Sequence, residues 1–219
     1  MKRILLIGLL LVGMSAGSTT TSAINPKKRV VCIGNSITYG VLLKNREDAY
    51  PFVLQRLLGD GYEVVNIGKP GAQLMGNPYI KPHTDEHHRL VGSNPDVIIV
   101  KLGTNDSRND AKRTKKELEV AFYRDYCQLI DSLKTLTPTI FVCVPIYPYG
   151  EKWTARNRTL RKIIRPVIKR VAKEKGISVI DLYKAIKPKD SLYKPDGIHP
   201  TEEGHKAMAV CVYHAIMKK

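Results

Sequence analysis

Cysteine is scarce, four in 219 residues with no Cys-x-x-Cys pair. That is too few for a disulfide-built scaffold and lacks the spacing of a zinc site. All four lie in apolar strand-like or helix-like stretches, where a cysteine behaves as a small buried hydrophobe. Acidic residues are also short, 20 against 36 Lys and Arg, leaving a net charge of +16. Apart from one run near the N-terminus, no stretch approaches the ~20 apolar residues that a membrane-spanning helix needs. After Ala23 there is no internal repeat and no linker rich in Gly, Pro or Ser, which argues against a solenoid or a string of domains. What is present is 43 % apolar and 26 % charged. That is a globular composition and excludes collagen-like, low-complexity and disordered classes.

The N-terminal apolar run is short. Lys2 and Arg3 precede apolar residues 4–12, and small polar residues follow from Ser15 to Ala23. This three-part layout is that of a secretory signal peptide, with Thr21, Ser22 and Ala23 offering the small side chains a signal peptidase requires. The reading is a signal peptide over 1–23 and one domain over 24–219, exported to the periplasm or secreted. No cysteine directly follows the run to carry a lipid, since the first is Cys32.

Within 24–219, apolar runs rich in β-branched residues alternate with amphipathic stretches. Strands are expected over 30–33, 62–67, 96–102, 139–144 and 177–182, and helices over 50–58, 115–133, 160–171 and 202–217. Pro166 should kink the third helix or lie near its start. Strands that are apolar almost throughout, separated by helices, indicate a parallel sheet covered on both faces. The expected fold class is α/β: a single three-layer α/β/α domain with a five-stranded, mostly parallel sheet. In such sheets ligands collect beyond the carboxyl ends of the strands, so the residues just after each strand carry the functional information.

Gly34-Asn35-Ser36 follows the first strand. A serine at a strand-to-helix turn projects its hydroxyl from the sheet edge, although a helix cap would explain it equally. Gly68-Lys69-Pro70-Gly71 follows the second strand, where a glycine lets the backbone approach a substrate closely and donate its N–H. Gly103-Thr104-Asn105-Asp106 follows the third, and an Asn amide is a neutral donor suited to an oxyanion. Asp196-Gly197-Ile198-His199-Pro200 precedes the last helix. Asp and His three apart on one loop can fold so that the carboxylate accepts from Nδ1–H and leaves Nε2 as a general base. The order Ser, Asp, His is one in which such triads occur, although the Gly-x-Ser-x-Gly elbow is absent after Ala23.

Together these segments resemble the four blocks of the SGNH (GDSL-type) hydrolase superfamily over essentially the whole of 24–219. The resemblance implies a flavodoxin-like SGNH fold with Ser36 as nucleophile, His199 as base and Asp196 as its orienting acid. Ser36 N–H, Gly68 N–H and the Asn105 side chain would form the oxyanion hole. It also implies acyl-enzyme hydrolysis of esters without a metal or organic cofactor. One departure stands out: the usual Gly-Asp-Ser reads Gly34-Asn35-Ser36, which removes a charge beside the nucleophile.

For the substrate, the segments after the second and fourth strands supply candidates: Lys69, Tyr79, Tyr147 and Trp153. Aromatic rings at a wet cleft suit stacking on sugars, and no long apolar insertion forms a lipase lid. The pattern is similar to exported carbohydrate esterases of the sialate O-acetylesterase or xylan-acetylesterase type, which places O-deacetylation of an acetylated carbohydrate first, the partner being a glycan or small-molecule ester. Lysophospholipase or thioesterase action is the alternative within the class. A different class is a non-catalytic basic module for an acidic polymer, given clusters such as Lys112, Arg113, Lys115 and Lys116. Export argues against nucleic acid, while the basic balance favours acidic substrates such as sialylated or uronic-acid polymers. His87-His88 lacks a partner at ligand spacing and is read as surface polarity.

Overall fold

The computed structural model describes residues 26–187 and 190–218, so the expected signal peptide lies outside the described residues. Five strands, β1 (Lys28–Gly34), β2 (Tyr62–Gly68), β3 (Val97–Lys101), β4 (Ile140–Val144) and β5 (Ser178–Asp181), form one sheet in the order β2-β1-β3-β4-β5. Every pairing is parallel, so the expected three-layer α/β architecture is the one observed.

Side-chain alternation along each strand feeds two cores. Val31 and Ile33 of β1 pack with Ile98, Val100 and the helix α4 (Lys115–Lys134). Val30 and Cys32 face the opposite side, against α2 (Tyr50–Leu58) and α8 (Glu202–Met217). Both faces are therefore dry along the inner strands β1, β3 and β4, which is why these read as apolar runs rather than alternating ones, while the edge strands β2 and β5 are only partly buried. Cys32 and Cys143 are buried in the second core as expected, whereas Cys127 and Cys211 are only half-buried.

The helix expected over 160–171 belongs to a longer rod. It begins as α5 (Thr154–Thr159), widens through a π-turn at Leu160–Ile164 and continues as α6 (Arg165–Lys175). Pro166 lies at the start of α6 just after the wide turn, where its missing N–H costs little. Two helices were not anticipated: the single turn α7 (Leu182–Ala185), and α3 (Asp85–Gly92), whose first turn carries Asp85 and Glu86 and is capped by Thr84.

The site is set by what happens at the carboxyl edge. β1 leads to β2 on one side and, by way of β2, to β3 on the other, so the switch point of the sheet lies between β1 and β3. Directly after β1, the single-turn helix α1 (Ser36–Tyr39) lies across the sheet edge at very close range. Gly34 and Gly68 are register partners. A Cβ on Gly34 would stand 2.1 Å from Thr38 Oγ1, and one on Gly68 would stand 2.3 Å from Tyr39 N. The paired glycines thus allow α1 to seat. Gly68→Ala is expected to destabilise the protein by about 1–3 kcal/mol, read as a lower urea midpoint. An unchanged midpoint would mean that α1 tolerates lifting from the sheet.

Candidate active site

Ser36 is the first residue of α1, half-buried, with Asn35 as its N-cap. Asn35 Oδ1 accepts from Ile37 N–H at 3.2 Å, as expected of a strand-to-helix turn. The same oxygen accepts from Lys101 Nζ at 3.3 Å, and Lys101 also donates to Thr104 Oγ1 at 3.2 Å. Lys101, the last residue of β3, is fully buried. Burial pushes its ammonium down to about 7. A single lysine therefore ties the turn after β1 to the loop after β3.

Across the cleft, His199 Nε2 lies 2.9 Å from Ser36 Oγ, and His199 Nδ1 lies 2.5 Å from Asp196 Oδ2. Asp196 Oδ1 accepts from the N–H groups of Ile198 and His199, at 2.9 and 3.0 Å. Partial burial opposes ionisation of this carboxyl, but the bonds from the His199 ring and the two amides outweigh it and hold Asp196 below the usual carboxylate range. The loop is braced from outside. Tyr149 N–H donates to Gly197 O at 2.6 Å, and Trp153 Nε1–H donates to Asp196 O at 2.9 Å. Gly197 has φ +72° and sits so close that a Cβ would stand 2.2 Å from Tyr149 O, hence glycine between Asp196 and His199.

The third wall is the β3 loop. Asn105 Nδ2 donates to Ala72 O at 3.0 Å, which aligns its amide beside the segment after β2. Asp106, buried, accepts from Leu74 N–H and Met75 N–H at 3.0 and 2.9 Å and fixes that segment. Burial raises the Asp106 carboxyl to about 6 despite those bonds. A cleft of about 570 Å³ opens over this constellation, lined among others by Ser36, Gly71, Asn105, Trp153 and His199.

Gly71 rather than Gly68 is the glycine on the cleft. Gly68 N–H donates to Asn66 Oδ1 at 2.9 Å and its Cα is pressed against Tyr39, so it has no free donor for a substrate. Gly71, at φ +80°, lines the cavity and its N–H makes no hydrogen bond among the described residues. Two glycines three apart gave no way to choose between them until the backbone bonds were known.

The four substrate candidates divide. Trp153 lines the cleft. Lys69 does not; its ammonium turns to Glu86 of α3 at 2.8 Å. Tyr79 is wholly buried, accepting from Gly34 N–H at 3.1 Å with its hydroxyl 2.7 Å from Ile67 O, so it straps the ends of β1 and β2 together. Tyr147 is buried with its ring 4.4 Å from that of Tyr183. Both tyrosines are therefore corrected from substrate contacts to parts of the core. Sequence reasoning passed over Lys101, Asp106, Arg108 and Arg156. A lysine within the run 97–102 was the one available signal of a buried polar link.

The arrangement suits acyl transfer: a hydroxyl against an imidazole nitrogen, a carboxylate behind the ring and amide donors opposite. Among the described residues no group of three or more His, Cys, Asp or Glu side chains is placed to hold a metal ion.

Known proteins resemble this chain in sequence family and in fold. Residues 32–207 match the model of the GDSL-like Lipase/Acylhydrolase family. An acetylxylan esterase from Xylanibacter ruminicola is 34 % identical over 210 residues, covering 86 % of this chain. The match spans 43 % of that relative, so the chain covers less than half its length. Among solved structures, Est24, a carbohydrate acetylesterase from Sinorhizobium meliloti, superposes with TM-score 0.69 at 18 % identity, covering 88 % of this chain and 99 % of that one. A lipase/acylhydrolase from Enterococcus faecalis gives TM-score 0.69 at 22 % identity, covering 87 % and 96 %. At these identities the two structures are alike in fold.

The buried Lys101 has a measurable consequence. Its value near 7 lies well below that of an unfolded lysine, so the unfolded chain holds a proton that the native one releases, and stability rises with pH above about 7. Lys101→Met abolishes this slope. The stability of the protein relative to Lys101→Met, from urea unfolding, should increase between about pH 7 and pH 9 by up to about 1 kcal/mol per pH unit. Parallel curves would show that Lys101 stays charged.

Proposed function

The chain belongs to the GDSL-like lipase/acylhydrolase family, and from that premise we propose that it is a serine esterase that removes acetyl groups from carbohydrates. The observation that carries this reading is the 2.9 Å contact between Ser36 Oγ and His199 Nε2, backed by Asp196, at the floor of an open cleft.

In this mechanism His199 takes the Ser36 proton as the hydroxyl attacks the ester carbonyl, and the carbonyl oxygen becomes an oxyanion. Asn105 Nδ2, Gly71 N–H and Ser36 N–H are the donors that meet it. His199 then protonates the departing sugar hydroxyl, leaving an acetyl group on Ser36. Water, deprotonated by His199, releases acetate and restores the serine. Asp196 stays ionised throughout, orienting the ring and stabilising the imidazolium. The chemistry draws only on these side chains and the backbone.

The carbohydrate preference is supported by the likeness to the acetylxylan esterase and by the cleft itself, which has Trp153 on its wall and few apolar residues (Val41, Pro70 and Ile198) to hold a long acyl chain. Export is supported by the layout of residues 1–23, and among the described residues no helix is long and apolar enough to cross a membrane.

Acetate release from acetylated xylo-oligosaccharides, with short- and long-chain p-nitrophenyl esters alongside, tests the proposal. Ser36→Ala and His199→Ala should abolish turnover, and Asn105→Ala should raise the barrier by about 3–4 kcal/mol with little change in KM. Full activity in Ser36→Ala would sink the esterase reading. Preference for long acyl chains would redirect it to lysophospholipase or thioesterase action.

A further inference from the structure

The cleft holds two cations that the acyl-transfer machinery does not use. Arg108 follows Asn105 by three residues, and Arg156 projects from α5; both line the same cavity as Ser36 and His199. None of the described residues lining that cavity is acidic. Arg156 is held rigidly: Nε donates to Ser107 Oγ at 3.1 Å and Nη2 donates to Thr104 O at 2.7 Å. Its Nη1 makes no hydrogen bond among the described residues, and its guanidinium lies 5.1 Å from the centre of the Trp153 ring. Arg108 is more exposed and gives Nη2 to Asp110 at 3.1 Å, on a carboxylate that is itself largely in solvent and shared with Gln73.

The two guanidinium groups are near enough to repel. Arg156 is held below its ordinary value first by burial and then by the charge of Arg108, with Asp110 opposing. Two like charges facing one cavity, one of them locked in place by neutral backbone and hydroxyl acceptors, favour an anion between them. A planar carboxylate matches the guanidinium fork.

We infer that Arg108 and Arg156 form a subsite for the carboxylate of an acidic sugar, so that the enzyme prefers acetyl esters borne on uronic-acid-type saccharides over the same esters on neutral ones. This rests on the esterase reading and names its substrate class. The sugar ring lies along Trp153, the carboxylate reaches the arginine pair and the acetyl carbonyl meets Ser36 and Asn105. No new bond-making step is involved, since the subsite acts by holding substrate. Its contribution weakens as salt screens the exposed Arg108.

Mono-O-acetylated methyl glucuronoside and mono-O-acetylated methyl glucoside are matched probes that differ by one carboxylate. The expected result is a kcat/KM about tenfold higher for the glucuronoside at low ionic strength, carried mainly by KM and narrowing towards parity in about 1 M salt. Arg108→Gln should lower that ratio several-fold through KM for the acidic probe, and Arg108→Lys should restore part of it. Equal kcat/KM for the two probes in the unmodified enzyme, or a ratio indifferent to both salt and Arg108→Gln, overturns the inference. Loss of acetate release from both probes in Ser36→Ala would leave the esterase reading standing in that case, whereas persistence in Ser36→Ala would remove the reading itself. A preference for a sulfated glucoside over the glucuronoside would assign the subsite to sulfate and overturn the carboxylate.

Discussion

A hydrogen bond between Ser36 and His199 joins two residues 163 positions apart, and the rest of the molecule is arranged to hold it. A contact of this kind survives only if both ends are fixed by something stiffer than the bond. At the serine end the stiffness comes from β1, paired on both sides within the sheet, and from a one-turn helix pressed onto Gly34 and Gly68. At the histidine end it comes from a loop tied on several sides. Lys194 N–H donates to His199 O at 2.8 Å, Gly197 N–H donates to Lys194 O at 2.8 Å, and Tyr193 forms an isolated bridge with Pro200. Behind the loop, α8 is locked to α2 by Tyr50 N–H donating to His205 Nδ1 at 3.1 Å. Burial drives the His205 imidazolium down to about 3, so at neutral pH its Nδ1 keeps the lone pair that this bond needs.

The buried electrostatics under Ser36 follow from one amide. With Asn at position 35, Lys101 meets neutral oxygens from Asn35 and Thr104 and no carboxylate. An Asp there would supply a counter-charge, keep the ammonium ionised and place a negative charge next to the serine. With Asn, desolvation goes uncompensated and the lysine value falls. The turn keeps its shape because Asn35 Oδ1 still caps Ile37, as an Asp oxygen would. What Asn for Asp changes is thus the charge state of the floor of the site, while the position of Ser36 Oγ is left to the helix cap and the glycines.

The fold was readable because the inner strands are dry on both faces and announce themselves as apolar runs, and because the order of strands and helices permits few parallel topologies. The Ser36, Asn105 and Asp196–His199 segments were readable because each sits directly after a strand or before a helix, where local spacing fixes direction. Gly68 was misassigned for a related reason. A glycine can serve either to let a helix approach or to present an N–H, and only the bond to Asn66 tells which. Tyr79 and Tyr147 followed aromatic composition into the cleft, but a tyrosine is as useful in a core when its hydroxyl finds a partner, as Tyr79 does at the ends of β1 and β2. Arg156 was hidden because it precedes the amphipathic stretch that drew attention and reaches the site through the rod formed by α5, the π-turn and α6.

Charge links these local features to the chain as a whole. An excess of 16 positive charges raises the concentration of any anion near the surface, but a diffuse excess cannot choose between anions. Many of the basic residues are engaged elsewhere: Lys175 with Asp131 at 2.7 Å, Arg165 with Asp181 at 2.9 Å, Lys69 with Glu86 at 2.8 Å. Arg156 differs from these in having its orientation set by neutral acceptors, so no carboxylate hydrogen-bonds its guanidinium among the described residues and only the more distant Asp110 offsets its charge. Fixed orientation and a charge with no bonded carboxylate are what turn general attraction into selection, because the ordering cost is met during folding and not on binding. The same Thr104 that accepts from Lys101 through its side chain accepts from Arg156 through its carbonyl. One residue after β3 thereby couples the buried floor of the Ser36 turn to the cationic wall of the cleft.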